Sequence, residues 1–473
     1  MRGRSVTSRA DLGDRMGGAL MIATLLVSVP YEFTGWPVLS YLAGIFAFAG
    51  LACFAPHVPR GAKLFLAIGV LLVLLASVTL DGWQGAALTA VSRGSFIAAF
   101  FTALTAIRAA AVSDPNILDC GRFLAGQPPG RRYLALTLGG HLFGLVLMYG
   151  SISLLGALAT ENARREPNEE IRAHRTRRML VAVQRGFIST LPWSPLAFAS
   201  AITLTVVPGA KWAAAVPLTL VSALIVAGVG WALDTIFKPR LTAPAPARGP
   251  AEGQWFSHLK PLYLLLAVLL LSTAVVHLAT GVRVFGVVMA LVPTIALLWI
   301  AFQPDARGHR LGRVGQRVRL FASADLPDLK NQLTILIMAA FIGSLGSAIA
   351  VPFAQEMGLS FAGVPTWLLL LGVFWCIPLT GQLGMNPILA VSLLAPLLPS
   401  PEALGIEPAI LVCAITSGWA LSGATSPFTA SVLLVGGFAN VSPSKVGLRW
   451  NGAYALTTGV VLSLWLMALV ALV

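Results

Sequence analysis

Long apolar segments dominate this sequence and constrain its fold more than any other feature. A helix of about 20 apolar residues is long enough to cross a bilayer. The hydropathy pattern predicts eleven such helices, at 17–34, 37–55, 63–80, 93–112, 176–207, 211–236, 259–279, 282–302, 328–358, 407–437 and 450–473. With 57% hydrophobic and only 11% charged residues, the chain is predicted to be an all-α polytopic membrane protein.

The net charge of +14 is concentrated in short segments between the apolar stretches. This distribution favours a topology signal over nucleic-acid binding, because basic loops stay in the cytoplasm. The basic residues Arg2, Arg4, Arg9 and Arg15 precede the first apolar helix, and no small-residue cleavage site follows them. We therefore expect a retained first helix, a cytoplasmic N-terminus and a bacterial-type inner (plasma) membrane location.

Two further apolar segments, 132–160 and 361–399, do not fit as single crossings. The loops on either side of the first, 113–131 and 160–178, are both rich in arginine. The loops on either side of the second, 351–360 and 400–407, contain neither lysine nor arginine. A single crossing would place one basic loop outside, against the positive-inside rule. We therefore predict two re-entrant hairpins, the first opening to the cytoplasm and the second to the outside.

The resulting plan is a tail and leading helix (1–36), a first repeat (37–236), a cytoplasmic linker (237–258) and a second repeat (259–473). The repeats are predicted to be inverted, and each contains a helix interrupted by Ser-Pro, at Ser194-Pro195 and at Ser426-Pro427. Proline removes a backbone donor, so a break in hydrocarbon needs protein or a water-filled cavity around it. Matched breaks in two repeats indicate a binding site. The alternatives are simple proline kinks, or two Ser-Pro pairs that coincide by chance.

The hairpin tips and the breaks supply polar groups for such a site. The second tip reads TGQLGMNP, and the helix that follows its proline would point free N–H groups at an anion. The first tip reads MYGSISLLG. A polar turn at the membrane surface is the alternative for either tip. The candidate substrate- or ion-binding residues are Gly150, Ser151, Ser153, Ser194, Pro195, Thr380, Gln382, Gly384, Asn386, Thr425, Ser426 and Pro427.

Two ionisable residues within the apolar pattern are further candidates. Arg185 lies ten residues before Pro195. An arginine in such a segment either serves the site or extends to the cytoplasmic surface, and both alternatives stay open. His141 either packs as a hydrogen-bonded residue or transfers protons.

Several classes of function lack their signature. The chain has no Walker motif, no Gly-x-Ser-x-Gly and no His-Glu-x-x-His, and its four cysteines are far apart. We therefore expect neither an enzyme nor an ATP-driven pump, and neither a metal nor a cofactor apart from a coupling ion.

The layout of hairpins and broken helices resembles the ion transporter superfamily, in particular the divalent anion:sodium symporter (DASS) architecture. LTGQLGMNPI stands at the second tip and GATSPFTAS at the second break, while MYGSISLLG and TLPWSPLAF take the first-half places. The Ser-Asn-Thr tip motifs of that family are absent, and Asn386 stands in the second tip. The resemblance implies an elevator-type carrier and a homodimer.

The sequence thus predicts a secondary active transporter of a small organic anion, coupled to Na⁺ or H⁺. Alternatives are an exporter or uniporter of a neutral or weakly acidic metabolite, the membrane subunit of a binding-protein-dependent permease, and a channel or sensory domain.

Overall fold

The computed structural model describes residues 12–111, 114–237, 254–302, 310–358, 361 and 363–472, and within these ranges it contains helices and no strand. In chain order the α-helices are α1 (Leu12–Thr34), α2 (Pro37–Phe54), α3 (Arg60–Thr79), α4 (Trp83–Ala111), α5 (Pro115–Gly126), α6 (Pro129–Leu147), α7 (Gly150–Arg164), α8 (Glu169–Ile188), α9 (Phe198–Val206), α10 (Trp212–Ile236), α11 (Trp255–Thr280), α12 (Val284–Phe302), α13 (Arg310–Leu320), α14 (Leu326–Asp328), α15 (Lys330–Glu356), α16 (Thr366–Gln382), α17 (Pro387–Leu394), α18 (Pro408–Thr425), α19 (Ala430–Ala439) and α20 (Gly452–Ala471).

Ten spans in the described residues are long and apolar enough to cross a membrane. They correspond to ten of the eleven predicted spans, so the prediction of an all-α polytopic membrane protein is confirmed. The remaining prediction, 176–207, is divided into α8 and α9, and arginines occupy the first half of α8. Arg2, Arg4 and Arg9, and linker residues 238–253, lie outside the described part of the chain.

The sequence reading missed two polar helices. Residues 113–131, predicted as a loop, contain α5, whose first turn is capped because the Asp114 side chain accepts the Asn116 N–H. The basic segment after α12 contains α13. The predicted loop 160–178 is also shorter than expected, since α7 ends at Arg164 and α8 begins at Glu169. Hydropathy finds membrane-spanning helices, and these three stretches are too polar to register.

The described residues form two compact units. One comprises the described residues within Met1–Ala110 and Leu271–Phe353, and the other comprises those within Ala111–Leu270 and Ala354–Val473. In the first unit, α1 packs closely on α2, where a Cβ at Gly17 would lie 2.5 Å from the Phe54 ring. Each predicted repeat contributes to both units, so the units do not coincide with the repeats. The inverted repeat itself stays a prediction.

The second unit contains both predicted hairpins. The first is α6 and α7, joined at Met148 and Tyr149, and the second is α16 and α17, joined across residues 383–386. At 1.5 Å per residue, α7 is about 22 Å long and α17 about 12 Å. Both returning legs are shorter than a hydrocarbon core of about 30 Å. Helical hairpins are therefore present, and their re-entry from opposite sides stays a prediction.

Labelling of single cysteines tests that topology. Arg122→Cys and Arg165→Cys replace exposed side chains on either side of the first hairpin. We expect both to react from the cytoplasmic face, because the hairpin returns to the side it entered. Met357→Cys and Glu402→Cys should both react from outside. Opposite faces for Arg122→Cys and Arg165→Cys would make the first hairpin an ordinary crossing.

Candidate functional site

The two helix breaks have the same backbone hydrogen bonds. The Ser194 N–H donates to the Thr190 carbonyl at 3.0 Å, and the Ser426 N–H donates to the Ser422 carbonyl at 2.9 Å. Each serine Oγ accepts the N–H two residues later, at 3.1 and 3.3 Å. Each serine carbonyl accepts the N–H three residues later, at 3.1 and 3.2 Å. The breaks therefore share one local structure, as the alignment of the two Ser-Pro pairs predicts.

Each break is also closed by a serine of its second half-helix. Ser200 Oγ donates to the Leu191 carbonyl, and Ser431 Oγ donates to the Gly423 carbonyl. Leu191 and Gly423 each lie three residues before the serine of their Ser-Pro pair. A carbonyl that the break leaves without a helical partner thus receives a side-chain hydroxyl in both halves.

The hairpins approach the broken helices at equivalent glycines. A Cβ at Gly186 would lie 2.1 Å from the Thr137 carbonyl oxygen, and a Cβ at Gly418 would lie 2.4 Å from that of Phe374. Both glycines lie eight residues before the Ser-Pro serine. Only glycine permits backbone contact of this kind, so α8 lies directly on α6 and α18 directly on α16.

The second tip and the second break are in contact. Ser426 Oγ donates to the Gly381 carbonyl at 2.6 Å. A Cβ at Gly384, whose φ is +89°, would lie 3.7 Å from the Phe428 ring. The Ser422 hydroxyl, fully buried beside Gly381, has no hydrogen-bond partner among the described residues. The structure therefore brings together the predicted site residues Gly384 and Ser426.

The other second-half candidates have local roles. The hydroxyls of Thr380 and Thr425 each donate to the carbonyl four residues earlier in their own helix. The Asn386 side chain caps α17 by accepting the N–H two residues on. Gln382 and Pro427 are half-buried. The carboxamide of Asn386 is therefore already engaged by the backbone, although its N–H₂ group stays available.

The first tip is more enclosed. Met148 has a φ of 51°, Gly150 begins α7, and the Ser151 hydroxyl donates to the Met148 carbonyl at 2.7 Å. Ser153 donates to the Tyr149 carbonyl at 3.4 Å, and the Tyr149 ring packs against α8. The hydroxyls of these two serines therefore donate to backbone carbonyls of the turn itself.

The two breaks adjoin one another. Ser194 and Pro195 are buried. A Cβ at Gly423 would lie 3.1 Å from Ile188 and 3.4 Å from Leu191 at the first break. Residues predicted from distant parts of the sequence therefore form one region of the second unit.

His141 lies at the first break. Its Nδ1 is 2.7 Å from Ser189 Oγ, and that hydroxyl also lies 2.7 Å from the Gly186 carbonyl oxygen. The imidazole stacks on Trp193, with centroids 5.8 Å apart. This is the packed, hydrogen-bonded arrangement, and proton transfer by His141 stays untested.

Arg185 is buried inside the second unit, with 6% of its surface exposed. Its Nε donates to Asn451 Oδ1 at 3.1 Å and its Nη1 to the Tyr133 hydroxyl at 2.9 Å. Its Nη2 is 3.4 Å from the Trp450 carbonyl, and the Tyr454 ring covers one face of the guanidinium at 4.1 Å. The side chain therefore points into the protein and does not extend to the surface of the unit.

Asn451 is one of two polar residues of this region, with Gln184, that the sequence reading missed. Its Nδ2 donates to Gln184 Oε1 at 3.0 Å and to the Ala424 carbonyl at 3.2 Å. Gln184 Nε2 in turn lies 3.4 Å from the Gly423 carbonyl. Both amides are fully buried. Arg185, Asn451 and Gln184, which we call the arginine–amide network, thus connect α8 to the carbonyls of the second break.

The fold of this chain is similar to that of two solved membrane proteins. A solved structure of the YdaH transporter of Alcanivorax borkumensis matches with a TM-score of 0.60 and 18% identity, over 88% of this chain and 99% of that one. MtrF of Neisseria gonorrhoeae, described with a class of antimetabolite efflux pumps, matches with a TM-score of 0.53 and 16% identity, over 89% and 97%. No protein-family model and no curated protein matches the chain. The DASS resemblance stays a prediction.

Proposed function

We propose that this protein is a secondary active transporter of a small organic anion, working by alternating access. The observation that carries the proposal is the pair of identically hydrogen-bonded helix breaks, each held against a helical hairpin. In secondary transporters, discontinuous helices of this kind provide the solute and ion sites.

The polar groups beside the second break favour an anion. The arginine–amide network contains a guanidinium and two amide N–H₂ groups. The Asn451 amide donates to the Ala424 carbonyl, and the Gln184 amide lies 3.4 Å from the Gly423 carbonyl. A cation would have to displace these amide donors, whereas an anion would be attracted by the positive charge of the guanidinium. We therefore do not assign the coupling ion, Na⁺ or H⁺, to these two carbonyls.

An elevator-type movement is compatible with this arrangement. Both breaks and both hairpins belong to one compact unit. A site contained in one unit can be carried across the membrane as a body, while the remainder of the protein stays fixed. A homodimer, as the resemblance implies, would provide that fixed part.

Export is the second candidate, because MtrF, with which this chain shares its fold, is described with antimetabolite efflux pumps. Import and export use the same site, and they differ in the direction of the driving gradient. The test must therefore measure flux in both directions.

Reconstitution into proteoliposomes tests the proposal. Uptake and efflux of a panel of radiolabelled carboxylates should be saturable, and should respond to an imposed Na⁺ or pH gradient. Replacing Na⁺ by choline at constant pH, and imposing a pH step without Na⁺, separates the two coupling ions. Unsaturable flux that ignores both gradients would indicate a channel and contradict the proposal.

A further inference from the structure

Arg185 carries a buried charge that the described residues do not neutralise. No described carboxylate lies within the 4.0 Å ion-pair distance of its guanidinium. By contrast, the half-buried Arg178 of the same helix pairs with Asp234 at 2.7 Å. A buried cation without a counter-charge is costly. An ionisable group held in this way within a membrane protein is a candidate for function.

Its hydrogen bonds are also incomplete. A guanidinium has five N–H donors, and the acceptors around Arg185 are Asn451 Oδ1, the Tyr133 hydroxyl and the Trp450 carbonyl. The last lies at 3.4 Å, beyond the usual range for N–H···O. Each terminal nitrogen therefore has a second N–H that these acceptors do not take.

The orientation of the neighbouring amides follows from this charge. Because Arg185 can only donate, Asn451 must direct its oxygen toward the guanidinium and its N–H₂ group toward Gln184 and the Ala424 carbonyl. Gln184 then directs its own N–H₂ toward the Gly423 carbonyl. The network thus has a fixed direction, with donors facing the second break.

Neighbouring residues cover one face and the stem of the Arg185 side chain, whereas its unbonded N–H groups lie along the edge of the guanidinium. The Tyr454 ring covers one face, and its hydroxyl is held by the Val226 carbonyl at 2.9 Å. A Cβ at Gly230 would lie 3.1 Å from Arg185 Cδ and 3.2 Å from the Tyr133 hydroxyl, so α10 also approaches closely. A planar carboxylate suits an edge with two N–H groups, because it accepts two parallel hydrogen bonds.

We propose that Arg185 is the residue that binds the anionic group of the solute, and that this group is a carboxylate received at the edge of the guanidinium. The proposal rests on the proposed function and deepens it, because it names the residue and the chemical class it recognises. In the absence of solute, Asn451 and Tyr133 hold the guanidinium in position. When solute binds, its carboxylate provides the missing counter-charge.

Thermal stabilisation of the purified full-length protein tests the proposal with defined probes. Acetate, succinate and benzoate are each compared with the neutral amide of the same shape, namely acetamide, succinamide and benzamide, at constant ionic strength. Ligand that binds only the folded state raises its stability as concentration exceeds Kd. We expect at least one carboxylate, and not its amide, to stabilise the parent protein.

Three variants locate the binding charge. In Arg185→Gln the carboxylate-dependent shift should require roughly 10- to 100-fold more ligand, the usual range for a lost charged hydrogen bond. Arg185→Lys keeps the charge and loses the two-pronged geometry, so an intermediate loss is expected. Arg177→Gln is the matched control, since Arg177 is an exposed arginine of the same helix. It should respond as the parent does.

A fourth variant excludes a purely structural role. Tyr133→Phe removes an acceptor from Arg185 and leaves its charge, so carboxylate affinity should be retained or increased. Equal carboxylate affinity in the parent and in Arg185→Gln would overturn the proposed role of Arg185. It would not contradict the proposed function as a transporter. Should Arg185→Gln not fold, Arg185→Lys decides the matter, and unchanged affinity there overturns it. No difference between any carboxylate and its amide in the parent would instead contradict the anion class of the proposed function.

Discussion

Gly418→Ala is expected to force α18 away from α16 and to destabilise the protein strongly. The added Cβ would lie 2.4 Å from the Phe374 carbonyl oxygen, a backbone atom that cannot move without its helix. Overpacking of a core usually costs about 1–3 kcal/mol, and contact with backbone belongs at or above the upper end. Gly186→Ala, against the Thr137 carbonyl at 2.1 Å, should have a comparable effect in the first half.

Thermal unfolding of the detergent-purified protein measures this effect. Gly372→Ala, on α16, is the matched control, because a Cβ there meets nothing within 4 Å. Alanine is the better helix former by up to about 1 kcal/mol, so the control should be neutral or stabilising. A midpoint for Gly418→Ala equal to that of the control would show that the close contact of hairpin and broken helix does not exist.

Pro427→Ala is expected to lower transport by about tenfold or more while leaving the protein folded. Proline in a helix interior costs about 3 kcal/mol relative to alanine, so removing it favours the continuous helix by up to about two orders of magnitude. Ser426 Oγ and Ser431 Oγ still bond the Gly381 and Gly423 carbonyls, so the helix should re-form only in part. Partial re-formation of the helix would shift the two half-helix ends at the break, on which the proposed solute site depends.

Initial rates at matched levels of reconstituted protein measure the change. Pro217→Ala is the control, because Pro217 is an exposed proline within the unbroken helix α10. We expect its transport rate to stay within about twofold of the parent, because α10 is continuous through Pro217 and has no break that removal of this proline could close. If Pro427→Ala transports as fast as Pro217→Ala, the break is only a kink.

The breaks could be predicted from the sequence because proline has a strong local effect. Ser194-Pro195 and Ser426-Pro427 interrupt long apolar stretches, and the structure has interruptions at both. Helices α5 and α13 are amphipathic, but they were missed because they are short and too polar for a search based on hydropathy. The division into two compact units was also beyond reach, since it depends on packing between distant segments.

The site could be predicted only in part. Asn451 lies 24 residues after Pro427, at the start of the last helix, and nothing local distinguishes it from an ordinary helix-end asparagine. Its role depends on Arg185 and Gln184, more than 260 residues away in the sequence. Gly186 and Gly418 likewise look like ordinary helix glycines until their backbone neighbours are known. Their equal spacing, eight residues before the serine of each Ser-Pro pair, was a feature of the sequence that could have identified them as equivalent positions.

The central claim is that the second break lies in a water-accessible solute site, and one labelling experiment tests it directly. Phe428, at the break, is 60% exposed, and Leu456, on α20, is 65% exposed. Phe428→Cys and Leu456→Cys are made with Cys53, Cys120, Cys376 and Cys413 replaced, and are treated with a membrane-impermeant thiol reagent. Phe428→Cys should react, and a carboxylate that stabilises the parent should slow the reaction with the same concentration dependence. Leu456→Cys should show no such protection. A Phe428→Cys variant that stays unreactive, or reacts at one rate with and without that carboxylate, would contradict the account.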